Sequence, residues 1–246
     1  VTAPDYAIEP FHEDRDMKVP PFWAALEAQD YQVAIIDPVE TGMAFLSRGI
    51  EVVRWMAHGR TGPADSSPAS VASELINRYG DDPFGGNADA ARKAGLPLDE
   101  LTETLLQRIE TKTHAMQELL DERDWDVFYV TYGEPHDIGH LAWHLHEELE
   151  QNSNPDNAVQ DPVKLCYQAL DRSIAQLMEC VDDDGQTIVL MGPGMESNVT
   201  GNPLLPDILR SAQGRQRHGA TNLLARLARF LTQSRLVPKS LRAKAK

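Results

Sequence analysis

Apolar residues recur along this chain with two different periods. Short, nearly unbroken runs rich in β-branched and aromatic residues stand at Tyr31–Ile36, Gly49–Trp55, Asp126–Tyr132 and Gln186–Met191, and each predicts a buried strand. Between them, apolar positions three and four apart predict helices. Pro20-Pro21 followed by Phe22, Trp23 and Leu26 starts a short one, because proline suits a first helical turn. Ser66 or Ser67 before Pro68 caps another through Tyr79, with Val71, Leu75 and Ile76 on its apolar side. The longest period, Leu98–Arg123, turns Leu101, Leu105, Ile109, Met116 and Leu119-Leu120 inward. Asp161-Pro162 opens a further helix whose stripe is Val163, Cys166, Leu170, Ile174, Leu177 and Val181. Residues 1–20 read as an irregular lead-in, Gly80–Ala91 and the His58–Pro63 stretch as loops. Strands alternating with helices predict an α/β fold, a largely parallel sheet with helices on both faces.

One stretch, Trp125–Glu148, concentrates the chemistry. Its strand runs into a turn at Gly133-Glu134-Pro135, and four of the chain's eight histidines follow at positions 136, 140, 144 and 146. Strand carboxyl ends are where α/β sheets form their crevices. His136, His140 and His144 are spaced by four, so on a helix they share one face, and imidazole is the commonest protein ligand for zinc. A metal site on His136 and His140 is the first expectation, with Glu134 and Asp137 as further ligands or as carboxylates that orient an imidazole. A zinc trio of His136, His140 and His144 on one helix is a separate alternative. His146 and His144 read as solvated beside Glu147 and Glu148. His58, with Arg60, lies on a loop after a strand and could reach a phosphate, but a solvated loop is the plainer reading. Asp171 reads as structural, Trp125 and Trp143 as core.

Charge changes the picture at one end. The chain carries a net −15, yet residues 208–246 hold ten of the 23 basic residues and no acid, leaving 13 basic against 38 acidic residues, or −25, for residues 1–207. This predicts an acidic body over residues 1–207 that repels nucleic acid, and a basic tail over 208–246 able to touch an anionic surface. Thr221 or Asn222 caps a helix in that tail with Leu223, Leu227, Phe230 and Leu231 opposite Arg226, Arg229 and Arg235. Packing on its own domain is favoured over a membrane surface. No apolar run approaches the roughly 20 residues that span a bilayer, and no signal peptide is visible. Cys166 and Cys180 fall in one predicted helix, roughly 21 Å apart along its axis, too far to bridge. Two free thiols fit a reducing cytoplasm. The absence of an initiator Met suggests a piece of a longer chain. Phosphate-cradling and dinucleotide glycine motifs, CxxC pairs and serine-nucleophile elbows are absent.

The two strand ends YGEPHDIGHLAWHLH and LMGPGMESN, with LDRSIAQLM between them, resemble the alkaline phosphatase superfamily, and within it the type I phosphodiesterase and nucleotide pyrophosphatase branch. The resemblance covers about residues 20 to 210. It implies a three-layer α/β fold and a metal-dependent phosphodiesterase or phosphatase acting on a phosphate-ester small molecule, with zinc or manganese as cofactor. Gly139-His140 match the G-H of the first family motif, and His136 stands where the family has Asp. Gly194-Met195 match the second motif, but Gly192-Pro193 replace its Asp-His pair, and proline has no side-chain donor. The family's nucleophile has no match before Pro20, and its last metal-binding His has none after the tail. The resemblance therefore implies a partial site, with a non-catalytic pseudoenzyme serving as a binding or scaffold module as the alternative.

Overall fold

The computed structural model describes residues 19–39, 41–60, 62–151, 160–192 and 194–196, together with 205, 208 and 209. The chain divides into two compact units, Val1–Met195 and Glu196–Lys246. The first holds a four-stranded mixed sheet, β1 (Val33–Ile36), β2 (Ile50–Val53), β3 (Asp65–Ser67) and β4 (Val127–Val130), in the order β3-β2-β1-β4. β1 pairs in parallel with β2 and β4, while β3 runs antiparallel to β2. The carboxyl ends of β1, β2 and β4 therefore share one edge.

Helices α1 (Phe22–Glu27), α2 (Ser70–Tyr79), α3 (Ala88–Lys93), α4 (Leu98–Glu122), α5 (Glu134–Gln151) and α6 (Pro162–Met178) complete the described elements. Alternation along β1 explains how the sheet is covered. Val33 and Ile35 pack with Trp23 of α1 and Leu46, whereas Ile36 joins Trp55, Leu75 of α2 and Met116 of α4 on the other face. A third cluster lies away from the sheet, where Leu105 and Ile109 of α4 meet Ile138 and Ala142 of α5 and Val163 and Cys166 of α6. Glu51, fully buried on β2, accepts hydrogen bonds from Trp23 Nε1 (2.7 Å) and the Ala44 (2.9 Å) and Phe45 (3.0 Å) amides. One carboxylate thus ties α1 and the β1–β2 connection to the sheet.

Several expectations are corrected. Ser66 and Ser67, expected to cap a helix, lie in β3, a three-residue segment that forms because β2 offers it a ladder, and α2 starts only at Ser70, although Ser66 Oγ still accepts the Ala72 amide at 2.8 Å. The Gly80–Ala91 loop gives way to α3, which Asn87 caps by accepting from the Ala90 amide. Gln186–Met191 has no strand partner among the described residues, and Ile188, Leu190 and Met191 are 75%, 79% and 77% exposed. Strand propensity alone builds no ladder, because it measures fit to neighbouring strands. The segment after Gly133 is not a turn followed by a separate helix, since α5 begins at Glu134 itself. Cys180 lies just beyond α6 and is half-buried, while Cys166 is buried within it. The basic tail and its helix fall outside the described residues apart from Ile208 and Leu209. No helix among the described residues is long and apolar enough to cross a membrane.

Candidate metal centre

Two populations of charged and metal-ligating groups meet at the shared carboxyl edge of the sheet. The inner one is a buried ion network. Asp37, directly after β1, has a positive φ of 52° and accepts the Trp55 and Met56 amides at 2.8 and 2.9 Å. This carboxylate also pairs with Lys112 Nζ at 2.6 Å, and the same ammonium donates to the Thr131 carbonyl at 2.7 Å, beyond the end of β4. Lys112 is fully buried. One turn earlier on α4, Arg108 lies against Asp82 (3.2 Å), Glu134 (3.1 Å) and Asp137 (3.6 Å) and donates to the Met56 carbonyl at 2.8 Å. Two buried cations thus hold four carboxylates.

Burial opposes charge on Arg108, but Glu134, Asp82 and Asp137 together push its pKa above the ordinary value. Glu134 moves the other way, raised by burial against the pull of Arg108 and Lys112. Its contact with Arg108 is an ion pair without an aligned hydrogen bond, and neither carboxyl oxygen has a hydrogen-bond partner.

The outer population is a set of three exposed imidazoles. His136 and His140 stand one turn apart on the first half of α5, with Nε2 atoms 2.8 Å from each other and ring centroids at 4.3 Å. The third is His58, from the segment after β2, whose ring centroid lies 4.3 Å from that of His136 and 6.1 Å from that of His140. One ligand atom from each of the three falls within 4.8 Å of the others.

His58 is an exposed loop residue, as expected, but its loop is held in place. Its segment is pinned by the Gly59 amide on the Gly86 carbonyl (2.9 Å) and by Arg60, which donates to the Arg54 and Trp55 carbonyls (2.9 and 3.1 Å) and to Asp81 (2.7 Å). Gly133 completes the approach. A Cβ there would lie 3.1 Å from His58 Cβ and 3.2 Å from its backbone nitrogen, so the missing side chain lets the segment pack against the start of α5.

Asp137 links the two populations. Its Oδ1 lies 2.5 Å from His58 Nδ1 while its Oδ2 faces Arg108. The hydrogen bond to Asp137 raises the His58 pKa against the effect of burial. With Nδ1 engaged by a carboxylate, Nε2 is the nitrogen left for a ligand, the arrangement that orients histidines around metals. Burial lowers the His136 pKa, and the positive charge of His58 and His140 adds to the effect, which favours its neutral, ligating form. The donor set fits a divalent ion of borderline softness, with three imidazoles leaving room for an exchangeable fourth position.

Of the residues singled out from sequence, the structure brings His136 and His140 together, puts Asp137 behind them as a partner of His58, and buries Glu134 in the ion network. His144 is exposed on α5 and is replaced in the trio by His58. His146 pairs with Asp161 at 2.6 Å and is not simply solvated. Asp82, Arg108 and Lys112 were not anticipated, although two basic residues interrupting the apolar stripe of α4 are a visible signal. Met195 packs on α5 at Gly139, where an added Cβ would come within 2.8 Å of its Cε. Compared with known proteins, the chain matches no family model, no curated protein and no solved structure.

Proposed function

We propose that the chain is a metal-dependent phosphoric ester hydrolase, related by descent to the alkaline phosphatase superfamily and its three-layer fold, that holds one divalent ion, zinc or manganese, on His58, His136 and His140. The observation that carries this reading is the convergence of three imidazoles from two separate segments at the carboxyl edge of the sheet, one of them oriented by a buried carboxylate. A divalent ion in such a site polarises a phosphoryl oxygen and lowers the pKa of a bound water. Asp137 fixes the His58 ring and its proton on Nδ1, and the exposed face of the trio admits a small phosphate ester. Arg108 and Lys112 neutralise the carboxylates beneath, which supports a single metal at this edge of the sheet.

The non-catalytic alternative is favoured by a specific observation. Gly192 offers no side-chain donor near the second motif, and the preceding segment has no strand partner among the described residues. Metal content of the chain purified without chelator, beside a His136→Ala/His140→Ala double variant, tests both. About one equivalent that the double variant loses, with hydrolysis of bis(p-nitrophenyl) phosphate that falls in parallel, supports the hydrolase. Metal without hydrolysis supports the binding module, and no metal in either protein sinks the reading.

A further inference from the structure

A second set of ligand atoms is gathered at the opposite end of α5, away from the trio. His146 and Glu150 are one turn apart near the end of that helix and so share a face. Asp161, which caps α6, meets them from across the intervening segment. One ligand atom from each of the three lies within 4.8 Å of the others. We propose that His146, Glu150 and Asp161 form a second divalent cation site, one that clasps the end of α5 to the start of α6.

The Asp161 carboxylate is fixed before any ion arrives. Its Oδ1 accepts the Val163 and Lys164 amides at 3.0 and 3.2 Å, the cap of α6, while its Oδ2 points at His146 Nδ1, 2.6 Å away. The His146 ring is held from its other side by Trp143, with centroids 5.1 Å apart and planes inclined by 51°. Both side chains are largely covered, His146 at 25% and Asp161 at 12% exposure, so the pair is held in place and is not a chance meeting of solvated groups. An ion pair accounts for His146 with Asp161. Glu150 brings a third ligand atom inside the same 4.8 Å.

One imidazole nitrogen with two carboxylate oxygens suits zinc or manganese better than calcium, which takes oxygen ligands throughout. With one ligand set on each of two helices, the ion's role is to brace them. The histidine helix is then fixed at its far end, while its near end carries His136 and His140. This site stands whether or not the trio binds metal, because the two share no residue.

The test is zinc titration of the chelator-treated full chain by calorimetry, in the His136→Ala/His140→Ala background that removes the trio. In that background we expect about one zinc per chain, with a thermal midpoint that rises on zinc addition. Adding His146→Ala should abolish both effects, and Glu150→Gln, a surface change that leaves the cap intact, should weaken binding at least about tenfold. Zinc uptake of zero in the double variant overturns the clasp, as does uptake that ignores both His146→Ala and Glu150→Gln. Circular dichroism of each variant separates loss of the ion from loss of the fold.

Discussion

The ion network and the histidine trio lie at the same edge of the sheet and answer the same problem, concentrated charge, in opposite ways. In the network the counter-charges are built in: Lys112 and Arg108 supply permanent cations to Asp37, Asp82, Glu134 and Asp137. In the trio, three exposed imidazoles crowd together, and Asp137 is the carboxylate that hydrogen-bonds one of them, His58. The difference teaches which groups can recruit an ion from solution. Carboxylates already paired in a low-dielectric interior gain little from a metal, whereas exposed imidazoles facing one another gain a bond each. The network should therefore govern stability and the trio should govern metal binding, with little crossover.

The sharpest way to break this division is Arg108→Met. It leaves three buried carboxylates without their shared cation and should cost about 3–5 kcal/mol in urea denaturation. Equal stability in the variant would mean the network is not the keystone described. Next, His136→Ala should lower metal uptake by about one equivalent per chain by direct metal analysis while shifting stability by no more than about 0.5 kcal/mol in the metal-free protein, as exposed positions do. A large stability loss there would merge the two regions. Asp137→Asn touches both and should show both symptoms, a 10- to 100-fold weaker zinc affinity by calorimetry, about the loss typical of an orienting carboxylate, together with measurable destabilisation. Gly133→Ala moves His58 by only a few tenths of an ångström and should weaken zinc binding by less than about tenfold, with stability nearly unchanged. The smallest effect concerns thiols. Burial, helped by the nearby charges of Glu134 and Asp137, pushes the Cys166 thiol up to about 12, so at pH 8 iodoacetamide should label Cys180 in the native protein and reach Cys166 only on unfolding. Mass spectrometry of the labelled peptides reads this directly.

The strands at β1, β2 and β4 and the long helix α4 were legible because burial on both faces or on one stripe leaves an apolar period. β3 and α3 were not, since their stability comes from a neighbour's ladder and from a single Asn87 cap. At the site, His136 and His140 were legible because helical spacing is a local property. His58 was not. It comes from a segment far away in sequence, and only the parallel register of β1 with β2 and β4 puts those two strand ends on one edge, on either side of β1. Gln186–Met191 shows the converse failure, a strand-like composition for which the fold supplies no partner.

Lys112 has a last consequence. An ammonium covalently attached to α4 occupies the space between the ends of β1 and β4 at all times, so assembly of this edge does not wait for any ion to be captured. Folding of this edge is thereby independent of ion supply, and any ion taken up by the proposed site would load onto an already folded chain.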